Sequence, residues 1–122
     1  MNTPRLLVVD DDRYACDMLT KVLERGNYAV DTAMNGKEAL ELAAENAYAL
    51  AILDFQLPDM TGAEVLREAR TLNPKLRAIF VTAYTTIDKV FPAVEAGAQR
   101  VLPKPFDVAE LLQVVGELTT HT

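Results

Sequence analysis

Apolar residues in this chain fall into short blocks at two different spacings. Leu6-Leu7-Val8-Val9 is wholly apolar and half β-branched, as in a strand covered on both faces, and it stops abruptly at Asp10-Asp11-Asp12. Tyr14, Met18 and Val22 follow at helical spacing, with Arg25-Gly26 suited to a C-terminal cap, so a first helix is expected with that series packed in the core. Tyr28-Ala29-Val30 is strand-like, and Asn35 with Glu38 three positions on opens a helix through Ala39, Leu40 and Ala43. Ala49-Leu50-Ala51-Ile52-Leu53 repeats the buried-strand signature and ends at Asp54, and Leu57 to Gly62 is a loop before a helix bearing Val65, Leu66 and Ala69. Ile79-Phe80-Val81 and Arg100-Val101-Leu102 are the fourth and fifth strands. Helices are expected between Thr86 and Ala96, and from Asp107 to about Leu118 with Val108, Leu111, Leu112 and Val115 on one face. Pro92 falls inside the first of these and should kink, shorten or delay it, leaving a locally soft segment from Thr85 to Val94.

Five strand-helix alternations predict an α/β fold, a five-stranded parallel sheet with helices on both faces. With 122 residues, half of them hydrophobic, the chain is expected to be one domain over 1–122, its ordered core running from about 4 to 118. A net charge of -6 leaves no basic stripe for nucleic-acid phosphates or anionic membranes. No apolar run approaches the roughly 20 residues of a membrane span, since the segment from Ala47 to Leu53 stops at Asp54. Cys16 is the single cysteine, expected as a small core residue of the first helix, and the opening residues lack a signal peptide's apolar stretch, so a cytoplasmic setting is the default expectation. His121 lies in a polar tail.

In parallel α/β sheets ligands bind beyond the carboxyl ends of the strands, and here those ends carry Asp10, Asp11, Asp54, Thr82 and Lys104. Crowded carboxylates repel one another unless a cation is present. A hard ion such as Mg²⁺ takes oxygen ligands and keeps several waters, so Asp11, Asp54 and the Gln56 backbone carbonyl could hold it. Lys104 can supply a second positive charge and Thr82 a hydroxyl donor to an oxyanion. Together they describe a phosphate-shaped hole in which Asp54 is a shielded carboxylate nucleophile.

Leu7-Val8-Val9-Asp10-Asp11-Asp12, Leu53 to Gly62, Val81-Thr82-Ala83 and Lys104-Pro105-Phe106 together resemble the receiver domains of two-component response regulators, over nearly the whole chain. The resemblance implies a flavodoxin-like (βα)5 fold and Mg²⁺-dependent phosphorylation of Asp54 by a histidine kinase or phosphotransfer protein. It implies direct Mg²⁺ ligation by Asp11, a role through water for Asp10, and phosphoryl-oxygen contacts from Thr82 and Lys104. A cis Lys104-Pro105 bond is implied as well. Such a domain is a phosphoacceptor switch that assists its own phosphorylation and dephosphorylation, not an enzyme acting on an external substrate. Its signalling surface would comprise the helix expected at 86–96, the fifth strand and the last helix, read by an output domain or downstream protein, and a phosphorylation-dependent homodimer is compatible with it. This chain departs from the family at Val101, which stands three before the lysine in place of the usual aromatic switch residue. Tyr84 and Gln56 occupy positions expected to set the lifetime of the phosphorylated state.

Three other functions compete. A haloacid-dehalogenase-type phosphatase uses an aspartyl nucleophile but needs a second aspartate where Gln56 stands. A flavodoxin-like redox protein needs a phosphate loop after the first strand, where three aspartates would repel FMN phosphate. A phosphorylation-independent interaction module on the same fold is the remaining alternative.

Overall fold

The computed structural model describes residues 3–82, 97–104 and 106–119. Chain order is β1 (Arg5–Val9), α1 (Arg13–Arg25), β2 (Ala29–Ala33), α2 (Gly36–Glu45), β3 (Leu50–Asp54), α3 (Gly62–Leu72), β4 (Arg77–Thr82), β5 (Arg100–Pro103) and, as the next described helix, α4 (Val108–Thr119). The expectations for a helix at 86–96, for Pro92, for softness from 85 to 94, for Tyr84, for the Lys104-Pro105 bond and for His121 lie outside the described residues.

The five strands form one parallel sheet in the order β2-β1-β3-β4-β5. Alternation along each strand splits the apolar blocks between its two faces. Leu6, Val8 and Ile52 pack with Leu19, Leu23, Leu111 and Val115 of α1 and α4. Leu7, Val9, Leu53 and Phe80 pack with Ala39, Val65 and Leu66 of α2 and α3. A strand buried on both faces tolerates no polar residue until it leaves the sheet, which is why the apolar blocks end where the aspartates begin.

Each described helix start has an identifiable cap. Asp12 accepts the Tyr14 N–H at 2.9 Å and opens α1. Asn35 accepts the Glu38 N–H at 2.8 Å, as the cap-residue spacing predicts, while the Glu38 carboxylate accepts from Met34 N–H at 2.9 Å instead of from the cap residue's own amide. The complete capping box belongs to α3, where Thr61 accepts the Glu64 N–H at 3.1 Å and Glu64 accepts the Thr61 N–H at 3.0 Å. Asp107 caps α4 through the Ala109 N–H at 2.8 Å, so it precedes the helix.

The first helix faces the core with a different stripe from the one expected. Cys16, Leu19 and Leu23 are buried, whereas Tyr14 is 83% and Met18 38% exposed. The two series lie side by side on one helix, and the first is the buried one, while Val22 of the expected series is half-buried. Gly26 is the C-cap, as expected, but the left-handed conformation falls on Asn27, with φ of 71°. Asn27 N–H donates to Glu24 O at 3.1 Å and Tyr28 N–H to Leu23 O at 3.2 Å, the paired bonds of a Schellman ending. In α4 the core-facing residues are Leu111, Val114 and Val115, and Val108 is on the rim of that face.

Candidate functional site

The strand order reverses between β1 and β3, the place where parallel α/β sheets bind ligands beyond the strands' carboxyl ends. Register brings the site together. Val9 pairs with Leu53, so Asp10 and Asp54 leave adjacent strands at the same level. Asp54 pairs with Val81 on β4, and Thr82 with Pro103 on β5, which places Lys104 next along the rim. Lys104 N–H donates to Thr82 O at 2.7 Å, continuing the ladder one step past β5.

The three consecutive aspartates do three different things. Asp10 is buried, and its two oxygens accept from Asp12 N–H and Lys104 Nζ, each at 2.9 Å. Asp12 turns away to cap α1. Asp11 is exposed, yet one of its oxygens lies within 4.8 Å of oxygens of both Asp10 and Asp54. The Asp54 side chain is 13% exposed; its Oδ2 accepts from Lys104 Nζ at 3.3 Å and its Oδ1 from Gln56 N–H at 3.2 Å. Lys104 thus bridges Asp10 and Asp54, with the shorter bond to Asp10. Thr82 is buried at the end of β4.

Electrostatics at the rim are under tension. Burial pushes the Asp54 carboxyl above its ordinary value; the Lys104 charge pulls it down, and the Asp10 charge pushes it up again. For Lys104 burial works against the charge, but the hydrogen bond to Asp10 and the charges of Asp54 and Asp10 outweigh it, so its ammonium is held above the usual lysine range. Three carboxylates facing one ammonium leave room for another cation. The donor set is all oxygen and one member is open to solvent, which fits a hard divalent ion such as Mg²⁺ that retains waters. Asp11 and Asp54 would hold it, with the Gln56 backbone carbonyl two residues after Asp54 and with Asp10 alongside them.

A family model for the response regulator receiver domain matches residues 6–116. The chain belongs to that family. This receiver domain is 37% identical over 117 residues to the transcriptional regulatory protein ZraR of Klebsiella oxytoca, an alignment covering 96% of this chain and 26% of that protein. Curated relatives such as this one and the response regulator MprA of Mycobacterium sp. (strain KMS) are longer, and the receiver domain here spans a quarter to a half of them. Among solved structures, a CheY-like receiver domain protein from Methanospirillum hungatei JF-1 superposes with a TM-score of 0.93 at 33% identity, covering 98% of this chain and 95% of that one. A response regulator from Burkholderia pseudomallei with a phosphorylated aspartic acid, calcium ion and citrate matches at TM-score 0.83 and 31% identity, covering 93% of this chain and 72% of that one.

Of the sequence-derived site residues, the structure gathers Asp10, Asp11, Asp54 and Lys104 within direct reach and sets Thr82 on the adjoining strand end. Gln56 is exposed in the following loop, its amide turned to Asp54. The direct Asp10–Lys104 pair was not anticipated, because nothing local to either residue signals a partner 94 positions away. Nor was Asp59, which reaches from that loop to α2. Its signal, a lone acid in a Pro/Gly turn, is the same as that of a solvated turn residue. Among the described residues no helix is long and apolar enough to cross a membrane.

Proposed function

We propose that this receiver domain, as a single domain over 1–122, is a phosphorylation-controlled switch in which Asp54 accepts a phosphoryl group. The observation that carries this reading is the Asp54 carboxylate at the end of a buried strand, held by Lys104 at 3.3 Å in a cluster whose remaining carboxylates are within 4.8 Å. The donor is a phosphohistidine of a histidine kinase or phosphotransfer protein. An Asp54 oxygen attacks phosphorus in line; the P–O bond forms as the P–N bond breaks, and the imidazole nitrogen leaves with its electron pair. Asp11, Asp54 and the Gln56 backbone carbonyl would hold Mg²⁺, which would supply charge neutralisation for the incoming phosphoryl oxygens. Lys104 swings its ammonium from Asp54 to one of those oxygens while Asp10 keeps it charged and aligned. Thr82 donates its hydroxyl to another. The solved relative bearing a phosphorylated aspartic acid and a calcium ion supports the same chemistry on this fold.

The new charge at the strand ends draws Thr82 and Lys104 inward, biasing the surface that includes β5 and α4, which an output domain, downstream protein or second copy reads. Such a domain is a switch, not an enzyme with an external substrate. Gln56 argues against a phosphatase of the haloacid-dehalogenase type, whose second aspartate it replaces.

The test is to incubate the protein with Mg²⁺ and a small phosphoramidate, and to weigh the intact chain. One phosphoryl group is expected on the unaltered protein and none on Asp54→Asn. Undiminished labelling of the Asn variant would refute the choice of acceptor, and an unlabelled wild-type chain would favour a phosphorylation-independent interaction module.

A further inference from the structure

The loop joining β3 to α3 is closed at its base by its own backbone. Leu57 N–H donates to Met60 O at 3.2 Å, Gly62 N–H donates to Phe55 O at 2.7 Å, and Gln56 and Thr61 pair as an isolated antiparallel bridge. Its tip is fixed from outside. Asp59 Oδ1 accepts the Gly36 N–H at 2.8 Å and Oδ2 the Lys37 N–H at 2.9 Å, so one carboxylate occupies the first turn of α2 with both oxygens. Among the described residues these two bonds are the hydrogen bonds that cross from the loop to α2.

Two observations set this apart from ordinary capping. Asn35 already caps α2 from its own side through Glu38 N–H, so the helix does not depend on a second, distant cap to begin. The packing is also built around the junction: Met60 lies so close over Gly36 that a Cβ there would collide with its Cγ and Sδ. An anion at a helix N-terminus is favoured by the unpaired amides and the helix dipole, and the Gly36 and Lys37 amides hold the Asp59 carboxyl below its ordinary value. It is therefore charged at neutral pH. The same loop carries Gln56, whose amide donates to Asp54 Oδ1.

We propose that Asp59 is a positioning residue for the phosphorylation site: its carboxylate fastens the loop that follows Asp54 to the first turn of α2, and thereby fixes the Gln56 backbone against the Asp54 carboxylate. This rests on Asp54 being the acceptor, as set out above. Releasing the clamp frees the loop tip while leaving Asp10, Asp11, Asp54 and Lys104 intact.

The experiment compares the unaltered chain with Asp59→Ala, Asp59→Asn and Asn35→Ala. Two readouts are taken: exchange of the Gln56 amide in Mg²⁺-free protein, and the Mg²⁺ concentration giving half-maximal labelling by a small phosphoramidate. Asp59→Ala is expected to speed Gln56 exchange and to raise the half-maximal Mg²⁺ concentration about tenfold, the low end for loss of a partner that orients a metal ligand. Asp59→Asn keeps one acceptor oxygen and should fall between, and it carries the comparison if the alanine chain unfolds. Asn35→Ala removes a cap from the same helix without touching the loop, so it should lower the melting temperature yet leave both readouts at the unaltered values. Wild-type values for Asp59→Ala and Asp59→Asn, or an equal shift in Asn35→Ala, overturn the proposal while leaving Asp54 as acceptor. An unaltered chain that takes no label overturns both.

Discussion

A site arranged to accept charge should make the domain less stable than it could be, and Asp54→Asn tests this directly. On a scale with an effective dielectric of about 20, Lys104 at 3.3 Å attracts the Asp54 charge by about 5 kcal/mol. Asp10 and Asp11, with oxygens no more than 4.8 Å away, each repel it by about 3.5 kcal/mol on the same scale, the Asp11 share being reduced by its exposure. Even with the Asp11 share discounted, repulsion offsets most or all of the attraction, and burial of the carboxylate tips the sum against the ionised form, in agreement with the raised value of Asp54. Asparagine keeps an oxygen for the Gln56 amide and removes the charge. Without Mg²⁺ it should stabilise the fold by about 1–2 kcal/mol, within the range seen when a strained charge is removed, and each kcal/mol corresponds to about 3–5 °C in melting temperature for a domain of this size.

The pH dependence gives the sign. A carboxyl whose folded value is raised binds its proton more tightly in the native state, so stability falls as pH rises through the window between the ordinary value and the raised one. The advantage of Asp54→Asn should be largest at neutral pH and small near the ordinary aspartate value of about 3.9. The companion variant Lys104→Met should do the opposite, losing about 3–5 kcal/mol because the buried Asp10 and the largely buried Asp54 lose their shared counter-charge. Thermal melts with and without Mg²⁺ measure both. An Asn variant that melts at or below the wild type in chelator, or whose advantage does not change with pH, would refute the reasoning.

Three further outcomes follow from the packing. Gly62→Ala should destabilise by about 1–3 kcal/mol, since a Cβ there would meet the Asp54 carbonyl oxygen and lie 2.7 Å from Phe80 Cε1, and it should slow labelling of Asp54 by displacing the strand end; unchanged melting and labelling would count against that contact. Thr61→Ala removes the capping box of α3 and should cost about 1 kcal/mol in denaturant unfolding, whereas Thr61→Ser should be close to neutral. Cys16 is buried beside the Asp10 carbonyl at 3.3 Å, and burial with the Asp10 charge pushes its thiol up to about 11. Iodoacetamide at mildly alkaline pH should therefore leave it unmodified in the native chain and alkylate it fully in denaturant.

The amino-acid sequence by itself determined the alternation of elements, and with it a parallel sheet whose strand ends carry the acids, because a strand covered on both faces must be apolar until it emerges. Asp54 was legible for that reason: five apolar residues before it and a Pro/Gly loop after it leave it no place except the rim. What only the tertiary structure decided was pairing across distance and choice of face. Tyr14-Met18-Val22 and Cys16-Leu19-Leu23 are both apolar helical stripes, and nothing in a single helix says which one the sheet will cover most fully. Gly26 marked the end of α1, yet the left-handed turn fell to Asn27, a residue able to adopt it through its short polar side chain. Lys104 chose Asp10 as its nearer partner, and Asp59 found the first turn of α2, through bonds between residues 94 and 22 or 23 positions apart. Hydrogen bonds and ion pairs act over a few ångströms in space without regard to separation along the chain, so their partners become visible only when the sheet has set the register.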